Sequence, residues 1–208
     1  MKIRYFGHSC FALQFANGTT IITDPFDETT GYPLCTASCT AAALSHDHFD
    51  HNHVQSLTGD FITLDKAGTY EIGGVRIEAI ESFHDDKEGS LRGKNLLFKF
   101  EGDGFKIAHL GDLGHMPNEE QIAFLKNMDI VMLPVGGYFT IDTKQAEEIL
   151  AEIQPHTALA MHFKAAANDF PISDEKQFAA DLHAEYKPGE IDFDCVCELP
   201  AVMVMDWQ

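Results

Sequence analysis

The segment Ser45-His46-Asp47-His48-Phe49-Asp50-His51 places three imidazoles and two carboxylates within six positions. Neutral imidazole and carboxylate are the usual ligands of zinc and similar divalent ions, and such a density is hard to explain as core packing or as a solvated face. The chemistry it points to is hydrolysis at a metal centre. Further donors stand where apolar runs stop: His84 after Ser82-Phe83, Asp112 after Leu110-Gly111, and His162 after Met161. One ion needs three or four protein ligands. The seven candidates His46, His48, Asp50, His51, His84, Asp112 and His162 therefore suggest a pair of ions sharing a carboxylate and a bridging hydroxide, with Asp112 as the natural bridge. Two cations lower the pKa of a shared water toward ~7 and polarise the bond under attack, which makes hydrolysis their simplest use. Asp50 and Asp112 are the candidate catalytic carboxylates, Asp50 or a nearby histidine handling protons.

Around this set stand residues that could orient ligands or contact substrate. Asp24 closes the run Ile21-Ile22-Thr23 and could hold a ligand histidine; His8, after Gly7, and His115, three residues past Asp112, could support the site or carry protons. Arg92, in the stretch Asp85 to Lys94 that follows His84, could grip a phosphate or carboxylate, and Tyr138, in Gly136-Gly137-Tyr138-Phe139-Thr140, could line a pocket. His109 lies inside a strand pattern and reads as a packed core histidine, while His53, His156 and His183 read as surface or helix-end residues.

These residues need a scaffold that ends many strands at one place. Short apolar or alternating runs at Ile3 to Phe6, Phe11 to Phe15 and Thr19 to Thr23 are punctuated by Gly7 and by the hairpin signal Asn17-Gly18. Strands are also expected at Ala41 to Ser45, Phe61 to Leu64 and Val75 to Ser82. Asn95 to Phe100 and Phe105 to Leu110 should form a hairpin around Glu101-Gly102-Asp103-Gly104. A helix from Asn118 to about Asn127 precedes a strand at Ile130 to Val135. A second helix at Thr143 to Ile153 precedes a strand at Ala158 to Met161. A third, capped by Ser173, is expected to run to Tyr186, with closing strand material between Cys195 and Met205. This is a mixed α/β layout in which loops after strands converge at one edge.

Composition bounds the remaining questions. A chain of 208 residues fits one domain spanning 1–208, able to bury roughly 70% of its unfolded surface. With 14 Lys+Arg against 33 Asp+Glu the formal charge is −19, which repels polyanions and makes long nucleic acid an unexpected partner. No apolar run reaches the length of a membrane span, so a cytoplasmic protein acting on a small-molecule substrate is expected, with homo-oligomerisation left open. The five cysteines lack Cys-x-x-Cys spacing and read as reduced, mostly buried thiols, a redox role for Cys35 and Cys39 being the alternative.

The pattern His46-x-His48-x-Asp50-His51, with Ile22-Thr23-Asp24-Pro25, Ser82-Phe83-His84-Asp85, Leu110-Gly111-Asp112 and Met161-His162, resembles the metallo-β-lactamase superfamily over nearly the whole chain. In detail it is similar to small hydrolases near the ascorbate-phosphate lactonase-like branch. The resemblance implies a four-layered αββα sandwich with a dinuclear centre at one edge of its two sheets. It implies that His46, His48 and His84 bind one ion, that Asp50, His51 and His162 bind the other, and that Asp112 bridges both. The ions expected are divalent, zinc first, with manganese, iron or nickel also compatible. The implied activity is cleavage of an ester, lactone or phosphodiester bond in a small molecule. An iron-dependent oxidoreductase and a catalytically silent metal-binding module are the alternatives, because one fold hosts many chemistries.

Overall fold

Hydrophobic alternation builds the first of two sheets in the computed structural model, which describes residues 1–207. Strands β1 (Lys2–Gly7), β2 (Cys10–Gln14) and β3 (Thr20–Thr23) fold back on one another, and β4 (Ala41–Ala43) and β5 (Ile62–Leu64) extend them in parallel. Because successive side chains point to opposite faces, Phe11, Leu13, Ile21, Ala41 and Ala43 join the core between the sheets, whereas Cys10, Ile22 and Ala42 point outward.

The second sheet takes the rest of the chain. Strands β6 (Gly68–Ile72), β7 (Val75–Phe83), β8 (Lys94–Gly102) and β9 (Phe105–His109) form an antiparallel meander. The β8–β9 turn has Asp103 and Gly104 at φ of 52° and 82°, the pair of positive angles that a two-residue hairpin turn requires. From β9 onward strands and helices alternate: α1 (Glu119–Leu125), β10 (Ile130–Pro134), α2 (Thr143–Ile153), β11 (Thr157–Met161), α3 (Lys176–Asp181) and β12 (Glu185–Lys187). After β13 (Glu190–Asp192), which returns to pair with β1, β14 (Val202–Met205) inserts between β11 and β12. The orders are β13-β1-β2-β3-β4-β5 and β12-β14-β11-β10-β9-β8-β7-β6. Asn118 and Asp142 open α1 and α2 with reciprocal capping boxes to Gln121 and Gln145, satisfying backbone donors that a helix start leaves free.

The result is an αββα sandwich. Side chains of all three helices, among them Ile122, Ile149 and Phe178, belong to the same continuous hydrophobic cluster as the strands of both sheets. The layer outside the six-stranded sheet is irregular, with short 3₁₀ turns at Glu28–Thr30 and Val54–Ser56. Phe26, Tyr32, Cys35, Cys39 and Leu57 form an apolar cluster with Cys10, Ile22 and Ala42 there.

Three expectations are corrected. The third helix begins after Glu175, not at a Ser173 cap, and ends at Asp181. There His183 turns left-handed at φ 53° and the Ala184 N–H bonds the Ala179 carbonyl, a Schellman-type stop that frees Glu185–Lys187 to pair with β14. The segment from Cys195 is not strand until Val202, since Val196–Glu198 is a 3₁₀ turn. Cys195 and Cys197 form a disulfide, so only Cys10, Cys35 and Cys39 are free, buried thiols. Three strands, β6, β12 and β13, were not expected; all lie at sheet edges, where the hydrophobic pattern is weak. Among the described residues no helix is long and apolar enough to cross a membrane.

Candidate metal centre

The parallel strands β3, β4, β9, β10 and β11 all deliver their C-terminal ends to one edge of the sandwich, the usual place for a ligand crevice in such sheets. Asp24 follows β3, the His46–His51 loop follows β4, His84 follows β7, Asp112 follows β9, and His162 follows β11. The backbone is strained there. Of nine non-glycine residues with positive φ among the described residues, His8, Asp24, Glu88, Tyr138 and His162 lie on these loops or beside them. Left-handed non-glycine residues concentrate where packing over-determines a functional geometry.

The structure brings all seven residues chosen from the chain together. Donor atoms of His46, His48 and His84 lie within 4.8 Å of one another, and so do those of His8, Asp50, His51 and His162. Asp112 stands between the groups: its Oδ2 is 3.0 Å from His162 Nε2, 3.2 Å from His84 Nε2, 3.3 Å from His51 Nε2 and 3.9 Å from His46 Nε2.

Hydrogen bonds behind the rings decide which nitrogen each presents. His51 Nδ1 lies 2.9 Å from Asp24 Oδ2, and a carboxylate can only accept, so Nδ1 carries the proton. Asp24 also accepts the Ser45 backbone N–H at 2.7 Å and the Ser45 hydroxyl at 2.7 Å. With its proton committed there, Ser45 Oγ accepts from His46 Nδ1 at 2.9 Å. His84 Nδ1 donates to the Phe139 carbonyl at 3.1 Å. In all three histidines Nε2 is left as a lone-pair donor facing the others, the arrangement that metal-binding histidines adopt.

The buried polar atoms His46 Nε2, His51 Nε2 and Asp112 Oδ1 have no hydrogen-bond partner. Unpaired polar atoms in a protein interior are costly, and an ion among them would satisfy all three. Charge agrees. Burial works against a second proton on His51, yet Asp112, Asp50 and Asp24 outweigh it and hold its pKa well above the usual range, so without an ion the three carboxylates draw a proton to Nε2, the position a cation would take in its place. Burial likewise opposes ionisation of Asp112, but His162 and His51 drive its pKa well below the ordinary carboxylate value. Burial pushes the His46 pKa well down and lowers that of His48, which favours the neutral, metal-binding form of both. The donor set and its charge fit divalent cations.

The loops are held by residues to which the sequence reading assigned no role, and by His109, which it placed in the core. Asn95 Oδ1 accepts the Asp112 backbone N–H at 2.9 Å, while its Nδ2 bonds the Leu110 carbonyl at 2.9 Å. A side chain on Gly111 would collide with Asn95 and Ser45, so glycine is required for this approach. His109 donates from Nε2 to the Ser9 carbonyl at 2.9 Å and accepts the Gly111 N–H at 3.1 Å, a fully satisfied core histidine bracing the same turn. Asp85 accepts four backbone N–H groups, from Lys87, Gly89, Leu91 and Arg92, and so folds the loop after His84. Of these, only a serine directly before the histidine motif and an Asp after His84 could have been singled out in the chain; Asn95 acts through contacts distant in sequence.

The supporting candidates separate. Asp24 bonds His51 as described, and His8 approaches Asp50, its Nε2 3.2 Å from Oδ2. His8 is held neutral, its pKa lowered to about 4 by burial and by His162. His115 braces backbone beside the site: its Nε2 accepts the N–H of Phe83, the residue before His84, at 3.2 Å, and its Nδ1 donates to the Met116 carbonyl at 2.8 Å. Arg92 lies over the Phe139 ring at 5.5 Å and, with Lys66 and Lys94, lines a cavity of about 410 Å³ whose wall includes His46 and His48. Tyr138 is mostly exposed, its ring edge-on to Phe139 at 4.7 Å, next to the carbonyl that holds His84.

This fold and this donor arrangement define a metallo-β-lactamase-type centre, and the chain belongs to that superfamily: the beta-lactamase superfamily domain model matches residues 2–162. Within it, the chain is 34% identical to a Thermotoga maritima protein assigned to the Zn-dependent hydrolases of the metallo-β-lactamase superfamily, with a TM-score of 0.84 over 98% of this chain and 97% of that one. It is also 26% identical to a UPF0173 metal-dependent hydrolase of Pyrobaculum neutrophilum, over 92% of this chain and 99% of the relative. An isothiocyanate hydrolase from Delia radicum gut bacteria shares the fold alone, at 15% identity and a TM-score of 0.70 over 100% of this chain and 97% of that one.

Proposed function

We propose that the protein is a metal-dependent hydrolase that holds two divalent cations, zinc first among them, and cleaves an ester, lactone or phosphodiester bond of a small molecule. The observation that carries this is Asp112 Oδ2, within hydrogen-bond or ligand–ligand reach of imidazoles from both donor groups. His46, His48 and His84 would hold one cation, Asp50, His51 and His162 the other, and Asp112 would touch both. When bound, such a pair supplies a water activated at neutral pH and a Lewis acid for the bond under attack.

The chain's own residues do the rest. Asp50, partly open at 15% side-chain exposure, is placed to take up and return a proton beside the attacked bond. The cavity beside His46 and His48 admits substrate; its wall carries Arg92, Lys66 and Lys94 together with Asp47, Asp65 and Glu81, and because Lys94 pairs with Glu81 at 2.7 Å, Arg92 and Lys66 are the cations left to meet an anionic group. A carboxylate or phosphate on a small substrate suits that wall; a long polyanion would meet the overall negative field. The resemblance to the ascorbate-phosphate lactonase-like branch keeps lactones among the substrate candidates beside esters and phosphodiesters, since one fold hosts many chemistries.

Elemental analysis of the purified protein and of Asp112→Ala tests the reading, followed by a screen of lactones, phosphodiesters and carboxylic esters. Two ions per chain, falling to one or none in the variant, with turnover in one substrate class, supports it. No more than one ion in fully loaded wild type overturns it. Iron as the resident metal, with no hydrolysis, would favour the oxidoreductase reading.

A further inference from the structure

His8 belongs to the second donor group by position, yet it lies outside the motif and outside the seven-donor set. It sits on the turn from β1 to β2, where the ladder register shifts between Tyr5 and Gly7. Gly7 and His8 have φ of 110° and 55°, and a side chain on Gly7 would collide with the Tyr32 ring. A histidine in this conformation is paid for by its surroundings.

Those surroundings are the site itself. The His8 carbonyl accepts from Tyr5 Oη at 2.9 Å and from the His162 N–H at 2.9 Å. The neighbouring Ser9 carbonyl accepts from His109 Nε2 at 2.9 Å and from Thr23 Oγ1 at 3.1 Å. One short turn is thus tied to the loop of His162, to the histidine that braces Gly111-Asp112, and to the strand end before Asp24. The His8 ring, with no solvent exposure, lies 4.2 Å from the His162 ring and 5.1 Å from the His51 ring. Its Nε2 is 3.2 Å from Asp50 Oδ2, and its Nδ1 is buried without a partner.

We propose that His8 is a positioning residue for the second cation: its Nε2–H donates to Asp50 Oδ2, the oxygen that also lies 3.8 Å from His51 Nε2, and so fixes the carboxylate beside the other donors. The hydrogen bond to Asp50 at 3.2 Å already occupies His8 Nε2, and donation from it leaves the unpartnered Nδ1 as an unprotonated acceptor. Carboxylate ligands are themselves held by hydrogen bonds, and losing such a partner weakens metal binding by about 10–100-fold.

The inference rests on the two-cation reading, and the test separates the two. Cobalt titration of the full chain, followed by visible absorption and metal content, is run on wild type, His8→Ala and His8→Gln. Glutamine keeps an N–H donor for Asp50 but is a poor metal ligand. The expected result is two ions in wild type, a second ion weakened by about 10–100-fold in His8→Ala with the first unchanged, and near-complete recovery in His8→Gln. A His8→Ala variant that binds both ions as wild type does overturns the proposal. So does a His8→Gln variant as defective as alanine, which would make the ring itself a ligand. If His8→Ala fails to fold, His8→Gln decides alone: wild-type affinity for the second ion supports the proposal, and a tenfold or greater loss overturns it. Wild type binding a single ion would instead overturn the two-cation reading.

Discussion

The two donor groups are built from similar residues but in opposite surroundings. In the first, His48 is half-buried and lines the substrate-sized cavity with His46, whose ring, like that of His84, is itself buried. In the second, His51 and His162 are buried beside Asp50, with His8 packed against them. The acceptors differ as well. Rings of the first group lean on neutral oxygens, Ser45 Oγ and the Phe139 carbonyl, whereas His51 leans on the Asp24 carboxylate. A cation in the first group would face substrate; one in the second would chiefly offset buried negative charge from Asp50, Asp112 and Asp24. The difference teaches that one edge of the sheet pair supplies both an exposed binding position and a buried charge-balanced one.

Asp112 is the point where the groups meet, so Asp112→Ala should blur them most. Metal content should fall to one ion or none, and kcat/KM on the best substrate should drop by on the order of 10³, the upper end for losing one preorganised electrostatic group. Unchanged stoichiometry would leave the two groups independent of Asp112.

Asp24→Asn separates the groups next. It removes the charge behind His51, and the second ion should weaken by about 10–100-fold while the first, reached only through Ser45, weakens less. A metal titration showing equal losses at both positions would break the distinction. The metal-free protein gives a pH counterpart. Burial opposes ionisation of Asp24, Asp50 and Asp112, yet neighbouring histidines hold all three below the ordinary carboxylate range. A carboxylate with a depressed folded pKa contributes stability that is present above its unfolded value of about 4 and is lost as pH falls through the folded value. Thermal melts of metal-free wild type should therefore drop as pH is lowered below about 4, and Asp24→Asn should be less stable at pH 7 with a flatter acid limb.

The smallest effect is expected at Ser45→Ala. It removes the acceptor from His46 Nδ1 while leaving Asp24 and His51 in contact, so the first ion should weaken by about tenfold and the second should hold. Competition with a chelator at graded concentrations reads the two affinities separately.

The sheets and the placement of the donors were legible because both follow from local pattern. Apolar runs such as Ile21-Ile22-Thr23 and Ile107-Ala108-His109-Leu110 stop at polar residues, and the sheets bring those stops to one edge. What escaped was set by distant contacts. Helix α3 is stopped by His183, a residue with no breaker signature, because Glu185–Lys187 pairs with β14. The outer layer over the six-stranded sheet shows no helical period because short turns and single aromatics such as Phe26 and Tyr32 cover it. His115 stands three residues from Asp112, yet its nitrogens turn to backbone at Phe83 and Met116; spacing cannot reveal such a choice. His8 was singled out in the sequence as a possible support for the site, but its partner was not, because a left-handed turn brings it to Asp50, 42 positions away.

Anomalous diffraction from a zinc-loaded crystal, collected on either side of the zinc edge, tests the central claim most directly. The account predicts two zinc peaks per chain, one among His46, His48 and His84 and one among Asp50, His51 and His162, with an Asp112 oxygen within bonding distance of each. A single peak in a fully loaded crystal, or two peaks with Asp112 touching only one, would contradict it.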